Sequence, residues 1–382
     1  MKILIIRNFP SYMSVKKNTY NIQEVGLARA FVRKGHICDI ILWTDKEEEV
    51  VELPVEGTDK TIKVFYKKGK TFLKNTIYVG LETLIDQYDA IQPCEYNQIQ
   101  SWLLARKYPQ KTTIFHGSYY SPFNKRYNMM CKLFDLFFTR SYAKQGSVFL
   151  AKSVMAKDFL KSKGIPDKNI YVCGVGIDTQ ALSNSENQCT EPLFCEMEKL
   201  HMAKKLLYIG SLEERRNILF IFDVLKKLLE KDEQYKLFMI GTGDEKYVEG
   251  CWKHADDLGI RHAIFWQEKM EQKYLSHVYD KSDFFLLPTR YEIFGMVLLE
   301  AMFYHTAVLT TYNGGSSTLI KDGENGMIVD RFDADAWADR IHILFADKEK
   351  MDVMKVDAHA TISDGYLWDK LASVFVDAYL RN

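Results

Sequence analysis

The order of apolar runs predicts an α/β protein built from two parallel-sheet domains. Three observations carry that reading. Short apolar strands alternate with helical patterns, the 382 residues exceed what one core usually supports, and a polar, turn-rich stretch interrupts the alternation near the middle. With 47% hydrophobic and 27% charged residues, the composition is that of a folded globular chain. No apolar run nears the ~18 residues that would span a bilayer. The opening MKILIIR has four consecutive apolar residues before Arg7, fewer than the ~7–15 of a signal-peptide core, and is expected to form a first buried strand. The seven cysteines are scattered and lack any CxxC pair, which predicts free thiols in a reducing cytosol rather than a disulfide frame or a zinc site.

The elements follow in order. KILIIR (2–7) precedes the helical pattern NIQEVGLARAFVRKG (21–35), and ICDIILW (37–43) reads as the next strand. TTIFHG (112–117), SVFLA (147–151) and NIYVCGV (169–175) are further strands, separated by helical stretches such as KSVMAKDFLKSKG. The second half repeats the logic. KLLYIG (205–210) leads into NILFIFDVLKKLLEK, YKLFMIGTG (235–243) into another helix, and FFLLPT (284–289) into RYEIFGMVLLEAM. The predicted division is a first domain over 1–180 that regains 365–382, a linker over 181–203 and a second domain over 204–364. Two Rossmann-like domains are expected to face each other across a cleft, with ligands beyond the carboxyl ends of the strands.

One stretch poses a chemical question. In RYEIFGMVLLEAM (290–302), Glu300 follows the apolar run Met296-Val297-Leu298-Leu299, eight residues after Glu292 in a glycine-bearing turn. A carboxylate among apolar neighbours is costly unless something hydrogen-bonds it. Spacing leaves two answers: a basic protein partner, or the hydroxyls of a ligand such as a ribose. The turn opens a helix, whose first amides suit phosphate oxygens.

LPTRYEIFGMVLLEAM resembles the signature of the retaining glycosyltransferases of family 4, which have the GT-B fold. The resemblance continues through AVLTT, YNGGSS and DGENGMIV, and upstream through HVYDKSDFFLLP. It runs along the whole chain and is strong over 204–345. It implies that Glu300 holds the ribose of a nucleotide-sugar and that Glu292 meets the sugar hydroxyls. It places the amides of Phe294, Gly295, Met296 and Val297 against sugar and diphosphate. The base would lie near Trp266–Met270, read by backbone groups around Lys269 and Met270. In GSLEERRN (210–217), Arg216 matches the family's lysine position. Ser211 stands where an arginine is common, with Arg215 as its substitute. His116, in TTIFHGSYY, matches the family's histidine beside the transferred sugar. Spacing alone also allows a structural role for it, and a general base is one further option. Asn18 and Thr19 replace the family's glycine pair on the acceptor-side loop, which Tyr119 is expected to share.

Other motifs are set aside. Asp333-Ala334-Asp335 is a DxD string, but it opens the helical pattern DADAWADRIHILF and reads as an N-cap, so no metal or other cofactor is expected. GTGDE (241–245) lacks the third glycine of a dinucleotide loop and the GK[ST] of a P-loop. Net charge is zero overall. Residues 1–180 nevertheless hold 27 Lys+Arg against 17 Asp+Glu, and the remainder 24 against 34. A basic half points to an anionic or lipid-linked acceptor, with an accident of surface composition as the plain alternative, and no nucleic acid is expected. YKKGKTFLK (66–74) and FNKRYNMMCKLFDLFFTRSYAK (123–144) mix cations with apolar residues, as a peripheral contact with an inner membrane face would require; a solvated loop and an ordinary domain helix are the plain alternatives. The expected protein is thus a cytoplasmic, retaining hexosyltransferase of cell-surface polysaccharide or glycolipid synthesis. Its rivals are a sugar-nucleotide epimerase of the same fold and a non-catalytic sugar-nucleotide-binding subunit.

Overall fold

The computed structural model describes residues 1–10, 14–17, 22–178 and 189–382. The chain divides into two compact units, one of Met1–Ile177 with Leu367–Asn382, the other of Asp178–Tyr366.

In the first unit, Ile3 to Ile6 are fully buried, as a strand covered by helices on both sheet faces must be. The strand Lys2–Ile6 lies between Ile37–Trp43 and Ala90–Pro93, parallel to both. On one side the sheet continues through Thr61–Lys67 to Glu49–Pro54, an antiparallel strand at the edge. On the other, bridges Ile91↔Thr112 and Cys94↔Phe115 join Ala90–Pro93 to the parallel strands Thr113–His116, Val148–Ala151 and Ile170–Val172. The helix Trp368–Leu380 belongs to this unit. Asp369 pairs with Arg33 at 2.8 Å, Phe375 packs edge-on to Phe31, and the Trp368 amide donates to the Ile177 carbonyl.

The second unit has one six-stranded sheet, all parallel. Its order is Ile264–Gln267, Tyr235–Ile240, Lys204–Ile209, Phe284–Leu287, Ala307–Thr310 and Met327–Ile328. In chain order that is 3-2-1-4-5-6, the doubly wound arrangement, and its direction reverses between Lys204–Ile209 and Phe284–Leu287.

The stretch read as a linker over 181–203 needs correction. Its described part belongs to the second unit and contains the helix Pro192–Lys199. Pro192 at the first helical position is pre-organised for a helix, and Leu193, Phe194 and Met197 form a buried stripe on it. The Leu193 amide donates to Gln267 Oε1 at 3.1 Å, tying the helix to the edge of the sheet. The seven cysteines are free, and six are buried. Among the described residues no helix is long and apolar enough to cross a membrane.

Candidate functional site

The reversal in the second sheet leaves a crevice beyond the carboxyl ends of Lys204–Ile209 and Phe284–Leu287. Two loops emerge there and are stitched together. The Arg290 amide donates to the Arg215 carbonyl at 2.8 Å, and the Thr289 hydroxyl to the carbonyls of Arg215 and Tyr291. A third loop clamps the turn carrying Glu292. The Gly314 amide donates to the Glu292 carbonyl at 3.0 Å, and a Cβ added at Gly314 would lie 2.0 Å from the Ile293 carbonyl oxygen. Buried Asn313 shapes that loop, accepting from the amides of Gly315 and Ser316 and donating to Thr310 Oγ1 and the Thr311 carbonyl. The loop YNGGSS thus positions the candidate site.

Gly295 caps the helix Met296–Phe303 in the left-handed region, with φ of 78°, and no side chain caps the first amides. Phe294 is buried beneath the turn, whereas Met296 and Val297 are part-exposed. This amide-rich end suits an anion.

The charged residues converge on the turn. Arg216 Nη1 donates to Glu292 Oε2, and Arg215 Nη1 stands 3.6 Å from the same oxygen. Arg215 is further held by the Tyr291 carbonyl at 2.9 Å and by Glu213 at 2.8 Å. Arg216 Nε is buried without a partner among the described residues. Ser211 Oγ donates to Glu213 and contributes no charge. The expected cation pair is therefore Arg215 and Arg216, held beside Glu292.

Glu300 is 1% exposed. Tyr279, at the end of the helix Gln272–Asp280, donates its hydroxyl to Oε2 at 3.0 Å. Oε1 is buried with no partner among the described residues. Burial pushes the carboxyl up to about 8, from 4.5. Among the described residues no basic side chain pairs with it.

The segment expected to meet the base follows the strand Ile264–Gln267. Trp266 donates its indole to the Gly241 carbonyl at 2.9 Å, while Gln267 Nε2 donates to the Lys269 carbonyl at 2.7 Å. Lys269 is exposed and Met270 part-exposed.

In the first unit, His116 ends its strand with a fully buried ring, 5.2 Å from that of Tyr96 and stacked on Phe159. Its Nδ1 lies 2.7 Å from Glu95 Oε2, and its Nε2 has no partner among the described residues. Glu95 escaped the sequence reading. It follows the strand Ala90–Pro93 with φ of 62°, and the amides of Gly117 and Ser118 point at its oxygens from 3.3 and 3.4 Å. Burial would raise its pKa, but His116, Lys152 and the Ser118 amide outweigh that and hold it down at about 2. The Arg7–Glu24 ion pair, at 2.8 Å, was also missed. Tyr119 is buried in the loop after His116, whereas Asn18 and Thr19 lie outside the described residues.

Asp333 Oδ1 accepts from the Ala336 amide at 3.0 Å and so caps the helix Ala334–Ala346, and Asp335 pairs with Lys227. In GTGDE, a Cβ on Gly241 would fall 1.8 Å from the Gly210 carbonyl oxygen, so that glycine lets two strand ends approach.

Residues 195–360 match the family model of the glycosyl transferases group 1. The D-inositol 3-phosphate glycosyltransferase of Xylanimonas cellulosilytica is 31% identical over 232 residues, 59% of this chain and 54% of that protein. An uncharacterized glycosyltransferase of Methanocaldococcus jannaschii is 29% identical over 178 residues, 46% of this chain and 44% of that one. The chain thus spans about half the length of the curated relatives it matches. Among solved structures, Anabaena HepE in complex with UDP and glucose superposes with a TM-score of 0.69 at 13% identity, covering 100% of both chains. Sucrose-phosphate synthase from Thermosynechococcus elongatus gives 0.73 at 15%, covering 100% of this chain and 98% of that one. These likenesses show the fold: the two parallel-sheet units are those of a GT-B protein.

Proposed function

We propose that this chain is a family 4 enzyme that moves a hexosyl group from a nucleotide-sugar to an acceptor hydroxyl with retention of configuration. The carrying observation is Glu300, a buried carboxylate with one oxygen bonded to Tyr279 and the other unpartnered, on the helix that opens at the sheet reversal. A ribose diol satisfies such a group. The likeness to HepE, whose structure holds UDP and glucose, supports a nucleoside-diphosphate donor.

In this reading the amides of Met296 and Val297 and the guanidinium of Arg216, whose Nε is unpartnered, neutralise the diphosphate. Glu292, tethered to Arg216, faces the sugar hydroxyls. The bond between the anomeric carbon and the diphosphate oxygen breaks with oxocarbenium character. The acceptor oxygen bonds that carbon from the same face, and its proton passes to the departing phosphate. Fixed cations and amides stabilise the leaving charge without reorganising, so the proposal needs no metal.

Proton NMR of the protein with UDP-, GDP- and ADP-hexoses tests this. Slow hydrolysis is expected to release sugar first in the donor's own anomeric form. Glu300→Ala should bind that donor about 2–10-fold more weakly by calorimetry, the weight of a hydrogen bond to a neutral carboxyl of about 0.5–1.5 kcal/mol. Interconversion of the nucleotide-sugar would establish an epimerase instead. No turnover and no line broadening with any donor would remove the site around Glu292 and Glu300.

A further inference from the structure

The helical stretch that follows the His116 loop plays no part in the donor site, and its outward face is unlike an ordinary protein surface. Lys125–Phe134, the π turn Asp135–Thr139 and Arg140–Gln145 succeed one another without a break. Cys131, Phe134, Thr139 and Tyr142 bury the inner side. Met129, Leu133, Leu136 and Phe137 stand outward, the last two 68% and 70% exposed. Single exposed apolar residues are common, but a contiguous row of four bulky ones marks a binding surface. The π turn falls on the residues that carry Leu136 and Phe137, and π turns concentrate at functional positions.

Charge says what covers the row. Lys125, Arg126, Lys132, Arg140 and Lys144 are all exposed, and none has an ion-pair partner among the described residues. The one carboxylate of residues 123–145, Asp135, turns away to Lys163 and Tyr96.

A second element of the same character is joined to it. Lys70–Phe72 and Asn75–Ile77 pair as a hairpin whose two turn residues, Leu73 and Lys74, have φ of 48° and 62°. Such a turn favours Asn-Gly, because positive φ strains a larger side chain. Here it presents an exposed leucine beside Phe72, which is 66% exposed. Asn75 Oδ1 accepts from the Ile99 amide at 2.8 Å, docking the hairpin on the helix Ile99–Lys107. Trp102 of that helix donates to Ser141 Oγ at 2.6 Å and packs on Phe138.

We infer that this joined surface seats the protein on an anionic lipid bilayer, with Leu136, Phe137, Phe72 and Leu73 entering the headgroup boundary and the flanking cations meeting lipid phosphates. A second copy is the poorer occupant, since a two-fold contact would set five unpaired cations against five. A nucleic acid would take the cations and leave Met129 and Leu136 in water.

The test is flotation of the intact protein with vesicles of phosphatidylcholine alone or mixed with phosphatidylglycerol. Binding is expected to the mixed vesicles only, weakening as salt rises. The double variants Leu136→Ser with Phe137→Ser and Lys132→Glu with Arg140→Glu should each lower partitioning about tenfold or more. Equal partitioning of wild type and variants, or none to mixed vesicles, overturns the inference. Self-association of lipid-free protein that the Leu136→Ser, Phe137→Ser variant abolishes would give the face to a second copy and overturn it too. None of these residues belongs to the donor site, so donor hydrolysis in the same variants reports on glycosyl transfer separately.

Discussion

Glu95 stands just beyond the strand Ala90–Pro93 and Glu300 on the helix that follows Phe284–Leu287, and their surroundings drive them in opposite directions. Glu300 is held up at about 8 by burial, with one phenol for company. Glu95, whose side chain keeps 15% exposure, is held down at about 2 because His116, Lys152 and the Ser118 amide outweigh its burial. Enclosure alone keeps a carboxyl neutral; it takes donors and cations to keep it charged. The first unit satisfies its glutamate internally, while the second leaves an oxygen open, as a group awaiting a ligand would be.

The comparison can be broken most directly at Glu300. Between about 4.5, its ordinary value, and about 8, the folded state keeps a proton that the unfolded state sheds. Stability should therefore fall as pH rises through that window, by a total of roughly 4–5 kcal/mol at about 1.4 kcal/mol per unit. Glu300→Gln has no such titration. Its calorimetric melting temperature should stay flatter than that of wild type from about pH 5 to pH 9 and exceed it at the alkaline end. Parallel curves would mean that Glu300 ionises in the folded protein at low pH.

Glu95 has the opposite sign and a smaller effect. Its contribution is present above about 4.5 and is lost as pH falls towards about 2, by at most about 3 kcal/mol, less what solvent screens. Glu95→Gln should melt below wild type at neutral pH, and the gap should close in acid. A variant as stable as wild type at neutral pH would show that the His116 pairing does not hold Glu95 down.

The smallest change sharpens the contrast. Tyr279→Phe removes the one bond to Glu300 Oε2, which should cost about 1 kcal/mol. It should also push the carboxyl further up, so the pH at which stability stops falling moves higher in the same melts. An unmoved inflection would make the Tyr279 hydroxyl irrelevant to that charge.

The sequence reading succeeded where the information was local. ICDIILW is the strand Ile37–Trp43, Asp333 caps its helix, and the turn between FFLLPT and MVLLEAM opens a helix as expected. Glu95 was hidden for a physical reason. Its strand Ala90–Pro93 has four residues and ends in proline, and its left-handed conformation is one that glycine or asparagine usually signals. Its partner, 21 residues away, meets it only through the pairing of Cys94 with Phe115. The helix Pro192–Lys199 was concealed by the polar residues around it, since a stripe of three apolar positions is a weak periodic signal. The anchoring of Arg215 on the Tyr291 carbonyl, 76 positions away, belongs to the tertiary fold alone.

The close seat of Gly314 on the Ile293 carbonyl bears on any attempt to redesign the donor preference. The turn with Glu292 and the loop with Gly314 share backbone so tightly that neither has an independent shape. Chimeras that exchange residues 289–297 between relatives should carry 310–316 with them as one cassette. A graft of the first segment alone would meet a mismatched backbone even if every side chain in it were well chosen.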